Sequence, residues 1–325
     1  MIFRCLPTRP FQTTRKVALI LPWLLTAACS DATHDSTKTT PADTTPSTPT
    51  ANAYSALVRG DYAALPAIIA ALDDAVASNP NDESSVFYAG VMRLWRTTQR
   101  NDDPSYTDAE FGADTTKAFA DLEEAKKLNP NDPHAAGFYG IATVDAGKLI
   151  SNQQTIDLGA QDLEDAVPLY PAYIHGIQAL AFGALAKDNA SFPKGVEALA
   201  ATVSACGYVP PDSGIVAVPY STDMPADRVG TCSDAGVVAH VWEGFWLTYG
   251  DIMTKDGNAS AARIAYGNAK SAPNYDKWTL SDVLEQRLAD LDSRTALYAD
   301  ADTTNDPTTW MEEGHLCVGC HANKQ

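Results

Sequence analysis

The sequence predicts an all-α protein whose main domain is a ladder of repeated helix pairs. Three observations carry that expectation. From about Ala53 onward, Ala, Leu and acidic residues recur at three- and four-residue spacing, the period of a helix with one buried face. Three stretches share one pattern: Leu72-Asp-Asp-Ala75 followed by Pro80, Leu122-Glu-Glu-Ala125 followed by Pro130, and Leu163-Glu-Asp-Ala166 followed by Pro171. In each, Leu and Ala lie three apart on one face, and the later proline stops the helix, because it lacks an amide hydrogen and its ring clashes with the turn before it. Finally, no convincing strand alternation occurs before residue 206.

The elements follow in chain order. In residues 1–28, basic Arg15 and Lys16 precede the apolar run from Val17 to Leu25, which reads as a secretory signal peptide. The run is too short to span a bilayer as a permanent helix. It ends in Thr26-Ala27-Ala28-Cys29. This tetrad resembles the lipobox of bacterial lipoproteins, with Thr26 where that family usually has Leu. The resemblance implies cleavage before Cys29 and a lipid on that residue, and Ser30 behind it implies the outer membrane, with the domain facing the periplasm or the cell surface. The plainer alternative is an ordinary signal peptide cut near Ala28. Residues 29–52 are rich in Ser, Thr, Pro and Asp, with almost nothing to bury, and read as a disordered tether. Extended, such a tether reaches about 60 Å at roughly 3.1 Å per residue.

The formal net charge is −18. The signal segment carries Arg4, Arg9, Arg15 and Lys16 and no acid, so its removal leaves the chain more acidic still. Such a balance disfavours nucleic acid and anionic surfaces and favours a partner with a basic surface. Solubility alone is the plainer reading.

Residues 53–299 form the expected helical domain. The three Leu-x-x-Ala stretches resemble the second helix of tetratricopeptide repeats, and the small residue of that family's first helix is matched by Gly90 after Pro80 and Gly140 after Pro130. A later copy runs Trp246, Tyr249, Gly250, Met253, Ala262, Tyr266 and Ala269, with Pro273 one residue early. The resemblance implies about five helix pairs stacked into an array. It implies that Gly250 and Ala262 let two helices approach closely while Trp246 and Tyr266 fill the space between turns. Thr279–Tyr298 is expected to be one capping helix, with Thr279 and Asp282 at capping-box spacing and Leu284, Leu288 and Leu291 as its apolar stripe. The ladder breaks at an insert, 207–231, whose prolines and glycines exclude a helix; a short strand is expected at Ile215–Val218.

The tail, 300–325, carries the sharpest motif. Cys317-Val318-Gly319-Cys320-His321 has the spacing by which a c-type haem is attached. On that reading Cys317 and Cys320 form thioethers and His321 is the proximal iron ligand. Three rivals stand beside it. A zinc site would crowd His315, Cys317, Cys320 and His321 into seven residues, whereas zinc modules separate their ligand pairs. A redox Cys-x-x-Cys wants a strand before it and a helix after it. A simple disulfide leaves His321 unexplained.

Only Ala322–Gln325 follows His321, so this is not a standard cytochrome c domain, and cover for a haem must come from upstream residues or a partner. The preceding stretch, acidic except for Trp310 and Met311, is expected to reach back along the helical domain, with Trp310 either stacking on the haem edge or, the more usual role of such an aromatic, anchoring the tail to its scaffold. Met311 and His240 are the candidate sixth ligands; a vacant sixth position stands equally beside them. His315 lies too near Cys317 to pass round the ring, and His134 and His175 read as ordinary helical histidines. The remaining pair, Cys206 and Cys232, flanks the insert, and a disulfide between them suits an oxidising compartment. Closing such a loop contributes about 3–4 kcal/mol.

Two functions follow. One is electron transfer by a lipid-anchored protein with one covalent haem c, partnered by a redox protein docked on the repeat scaffold. The other is an adaptor that binds proteins in a repeat groove, with the terminal cysteines as a disulfide or metal site. No nucleophile–base or paired-carboxylate spacing argues for an enzyme.

Overall fold

A computed structural model describes residues 48–98, 105–206, 241–272 and 275–312. The signal segment, nearly all of the tether, the 207–231 insert with its expected strand, His240, Cys232 and the Cys317–His321 motif lie outside the described residues. Twelve α-helices run through the described chain. They are α1 (Pro49–Arg59), α2 (Leu65–Ser78), α3 (Glu83–Thr97), α4 (Asp108–Leu128), α5 (Pro133–Leu149) and α6 (Gln153–Ala166). After them come α7 (Pro171–Gly183), α8 (Phe192–Ala205), α9 (Val241–Asp256), α10 (Ala259–Lys270), α11 (Ser281–Ala289) and α12 (Leu291–Ala299).

The helices pack in sequential pairs. The closest are α3 with α4, α5 with α6, α7 with α8 and α9 with α10, and α1 with α2 is a looser first pair. The architecture is all-α and consistent with a helical-repeat array. Glycines set the closest approaches. A Cβ on Gly90 would fall 2.8 Å from Leu122 Cγ, one on Gly140 would fall 2.7 Å from Leu163 Cγ, and one on Gly250 would fall 2.1 Å from Tyr266 Cε1. Each first helix thus gives up a side chain where its partner inserts one. Trp246 and Tyr266 are fully buried between turns, as their spacing suggested.

The connections repeat as well. Asn79-Pro80-Asn81-Asp82 joins α2 to α3, and Asn129-Pro130-Asn131-Asp132 joins α4 to α5. In both, the Asn side chain accepts from the amide two residues on, at 3.4 and 3.3 Å, and the Asp amide donates back to the Asn carbonyl at 3.1 Å. The Asp then takes the N-cap position of the next helix. The third copy differs: Pro168 ends α6 at Ala166, earlier than Pro171 could, and Pro171 opens α7 instead.

Two boundaries differ from expectation. Helix α1 starts at Pro49, inside the stretch read as tether, because Thr48 caps it by accepting from the Ala51 amide at 3.1 Å and proline suits a first helical turn. The single capping helix expected at 279–298 is two helices, broken at Asp290, which ends α11 and starts α12. Leu284 and Leu291 are still buried, one on each segment. Helix α11 begins at Ser281 with Leu280 at its N-cap, one place past the expected Thr279.

A charged cluster is buried between α2, α3 and α4. Arg93 on α3 donates from Nη2 to both oxygens of Asp73, and it meets Asp121 at 3.0 Å and Asp114 at 3.7 Å. Its side chain is 4% exposed, so three carboxylates offset the cost of desolvating one guanidinium.

Candidate functional site

The residues before the cysteine motif are held on the array by a series of contacts. After α12, Asp302 caps a short 3₁₀ turn, Thr303–Asn305, by accepting from the Thr304 amide at 3.1 Å. The Tyr298 hydroxyl donates to the Pro307 carbonyl. Arg294 and Arg287 both donate to the Thr308 carbonyl, at 2.6 and 3.4 Å. The chain is then placed to enter the core.

Trp310 enters it. The residue is fully buried, among Trp246, Ile252, Trp278 and Met311. Its amide donates to Asp251 Oδ2 at 2.8 Å, and its indole N–H donates to Thr248 Oγ1 at 3.1 Å. Both acceptors lie on α9. Asp251 also accepts from the Tyr266 hydroxyl at 2.7 Å and pairs with Arg287 Nε at 3.3 Å. Burial pushes its carboxyl above the ordinary value, while the guanidinium and the Trp310 N–H oppose that shift. One carboxylate thereby ties the tail, α9, α10 and α11 together.

Thr309 and Glu312 form a reciprocal box. The Thr309 amide donates to Glu312 Oε2 at 2.7 Å, and the Glu312 amide donates to Thr309 Oγ1 at 3.4 Å. Thr-x-x-Glu is a helix-start signature that the sequence reading passed over. The other Glu312 oxygen faces Lys255 at 3.4 Å and Lys148 at 3.8 Å. Lys255 is nearly buried; it donates to the Leu185 carbonyl at 2.8 Å and lies over the Phe192 ring. Desolvation lowers its pKa, and Glu312 counters that.

The candidate residues fall into three groups. Trp310 anchors the tail as expected. Met311 is buried in the same core, its Cε 3.7 Å from where a Gly183 Cβ would stand, so as an iron ligand it would have to leave this packing. Cys206 ends α8 and is buried near Ala172 and Trp242. His134 is held by Asp132 at 3.1 Å and packs on the Tyr173 ring at 4.8 Å. His175 is paired with Gln178 at 2.8 Å beside a shallow groove of about 270 Å³. Neither histidine is near Trp310 through any described contact. Cys29, Cys232, His240, His315, Cys317, Cys320 and His321 lie outside the described residues.

Among the described residues, no three His, Cys, Asp or Glu side chains are grouped to hold a metal. Among them, too, no helix is long and apolar enough to cross a membrane. Compared with known proteins, the chain matches no family, no curated protein and no solved structure.

Proposed function

We propose that this chain is an exported, lipid-anchored c-type haem protein that passes electrons to or from a protein partner. Cys317 and Cys320 carry the haem and His321 ligates its iron. Two thiols and an imidazole within five residues are the donor set that covalent attachment needs, and they fit a haem better than they fit zinc. The observation that carries the reading is this motif placed five residues beyond Glu312, the last residue seen seated on the array. A bound haem supplies a one-electron centre. The chain's own residues hold its attachment point: Trp310 and Glu312 fix the approach, and His321 donates from its ring nitrogen.

The helix pairs are a tetratricopeptide-like scaffold on which the partner docks, and the acidic surface selects a partner with a basic one. Met311 or His240 is the distal candidate. Of the two, the burial of Met311 in the array core favours His240. Cys29 bears the lipid and tethers the domain to the outer membrane, on its periplasmic or outer face. Cys206 and Cys232 close the insert as a disulfide. No catalytic residues are assigned.

The test is expression in a host that matures c-type cytochromes. Coloured protein that keeps its pigment in acidified acetone, and loses it in a Cys317→Ala/Cys320→Ala variant, supports the reading. Colourless wild-type protein overturns it and leaves the second reading, an adaptor lipoprotein whose helix pairs bind partner proteins and whose terminal cysteines are a disulfide or metal site.

A further inference from the structure

The groove beside His175 carries polar groups that the packing of the array does not use. It is lined by Glu164 from α6, by His175, Gln178 and Phe182 from α7, and by Lys194 and Glu197 from α8, and it encloses about 270 Å³. His175, Gln178 and Phe182 share one face of α7, at steps of three and four residues. Pockets for whole drug-sized ligands run to about 300–1,000 Å³, so this one suits a single side chain.

Its hydrogen-bonding groups are unevenly used. Gln178 is only 7% exposed, and its Oε1 meets His175 Nδ1 at 2.8 Å. A carbonyl oxygen only accepts, so Nδ1 carries the proton and Nε2 is the ring's acceptor. Among the described residues, nothing donates to that Nε2. Lys194 is already engaged: its Nζ donates to Glu164 Oε1 at 2.8 Å and stands 5.8 Å from the Phe182 ring centre. Glu197 has no cation paired with it among the described residues. The groove therefore holds one satisfied ion pair, one uncompensated carboxylate and one accepting ring nitrogen, and it is short of a cationic donor.

We infer that this groove receives an arginine side chain from the basic partner protein. Glu197 pairs with the guanidinium, His175 Nε2 accepts a further N–H, and the apolar stem lies toward Phe182. A guanidinium presents five donors in one plane and is weakly hydrated, which suits acceptors set round an aromatic wall better than a compact ammonium does. The inference rests on the reading that a basic partner docks on the helix pairs, not on the haem, and it adds where on the array that partner's charge is read.

The test titrates the full chain with N-acetyl-arginine methylamide, which presents arginine as it stands within a polypeptide, and follows the Gln178 side-chain amide and the His175 ring by NMR. Both should shift saturably at millimolar concentration. Glu197→Gln should weaken binding about fivefold. Lys194→Met, which leaves Glu164 uncompensated as well, should strengthen it about threefold. Lys194 and Glu197 are both exposed, so far-UV circular dichroism of the variants should match wild type. The lysine counterpart of the probe should bind about threefold more weakly; equal affinity overturns the guanidinium. Absence of a saturable shift, or affinity that neither variant changes, overturns the site. Free arginine that binds more tightly than the blocked form overturns the partner and makes the ligand a free amino acid. An octa-arginine peptide separates the remaining failures at low salt. If it binds equally to wild type and Glu197→Gln, a basic partner docks elsewhere and the groove alone is overturned; if it does not bind at all, the groove and the basic partner fall together.

Discussion

Asp251 joins the tail to the array through three partners, the Trp310 amide, the Tyr266 hydroxyl and Arg287. Asp251→Asn removes the ion pair to Arg287, whose side chain is 6% exposed, and leaves that guanidinium under-compensated. The expected loss is about 3–5 kcal/mol in urea unfolding. Trp310→Ala empties a fully buried site and should cost a similar 3–5 kcal/mol, whereas Trp310→Phe keeps most of the packing and loses mainly the Thr248 hydrogen bond, about 1 kcal/mol. A second prediction concerns pH. Glu83 lies against Asp132, the N-cap of α5; burial, then the hydrogen bond and charge of Asp132, push its carboxyl up to about 7, while Asp132, which burial alone would raise, is held down to about 2 by hydrogen bonds from His134 and Glu83 and by the charge of His134 taken together. The folded chain therefore holds a proton on Glu83 that the unfolded chain releases near 4.5, so this site loses stability as pH rises from 4.5 towards 7. Asp132 acts oppositely: its contribution is present above 3.8 and is lost as pH falls towards 2. Glu83→Gln should flatten the slope between pH 5 and pH 7 and leave the variant more stable than wild type at pH 8. Parallel wild-type and variant curves would show that Glu83 carries no such proton.

At the scale of elements, the helix pairs make opposite predictions for two glycines. Gly140→Ala forces a Cβ to 2.7 Å from Leu163, which is fully buried, and should destabilise by about 1–3 kcal/mol. Gly112 stands in α4 with nothing within 4 Å of a new Cβ, so Gly112→Ala should stabilise by about 0.5–1 kcal/mol through helix propensity. Thermal unfolding of the two variants distinguishes a paired array from a loose bundle, in which both changes would stabilise. These elements also show what could be read beforehand. Gly90 and Gly140 are legible in the sequence because each follows, by ten residues, the proline that stops a Leu-x-x-Ala stretch, and Gly250 because of its place between Trp246 and Ala262. The twin Asn-Pro-Asn-Asp turns are equally visible as text, but the proline signals only the helix stop, whereas the Asx bond from the preceding Asn shapes the turn. The break at Asp290 is not legible, because Leu284, Leu288 and Leu291 keep helical spacing across it.

For the whole molecule, the array and the tail are one folded unit up to Glu312, and the contacts that make them so span long separations. Trp310 bonds to Thr248, and Glu312 bonds to Lys255 and Lys148. Sequence reasoning found Trp310 as an anchor because it is one of two apolar residues in an acidic stretch. It could not find Asp251, Lys255 or Arg287, since a charge on a helix gives no sign in the text that a distant segment will bury it. The Arg93 cluster is hidden for the same reason, and Arg93→Ala should cost about 1–3 kcal/mol, because Lys117 still faces Asp73 and Asp121 and Arg96 still faces Asp114. The cysteine motif was the reverse case: its meaning lay wholly in spacing, and the array adds only where its approach is fixed. The proposal that this approach delivers a covalent haem stands or falls on the intact mass of the denatured protein, purified from a host that matures c-type cytochromes. The chain should be heavier by one haem, with that increment lost in Cys317→Ala/Cys320→Ala. An unmodified mass across the Cys317–Cys320 segment would rule the haem out.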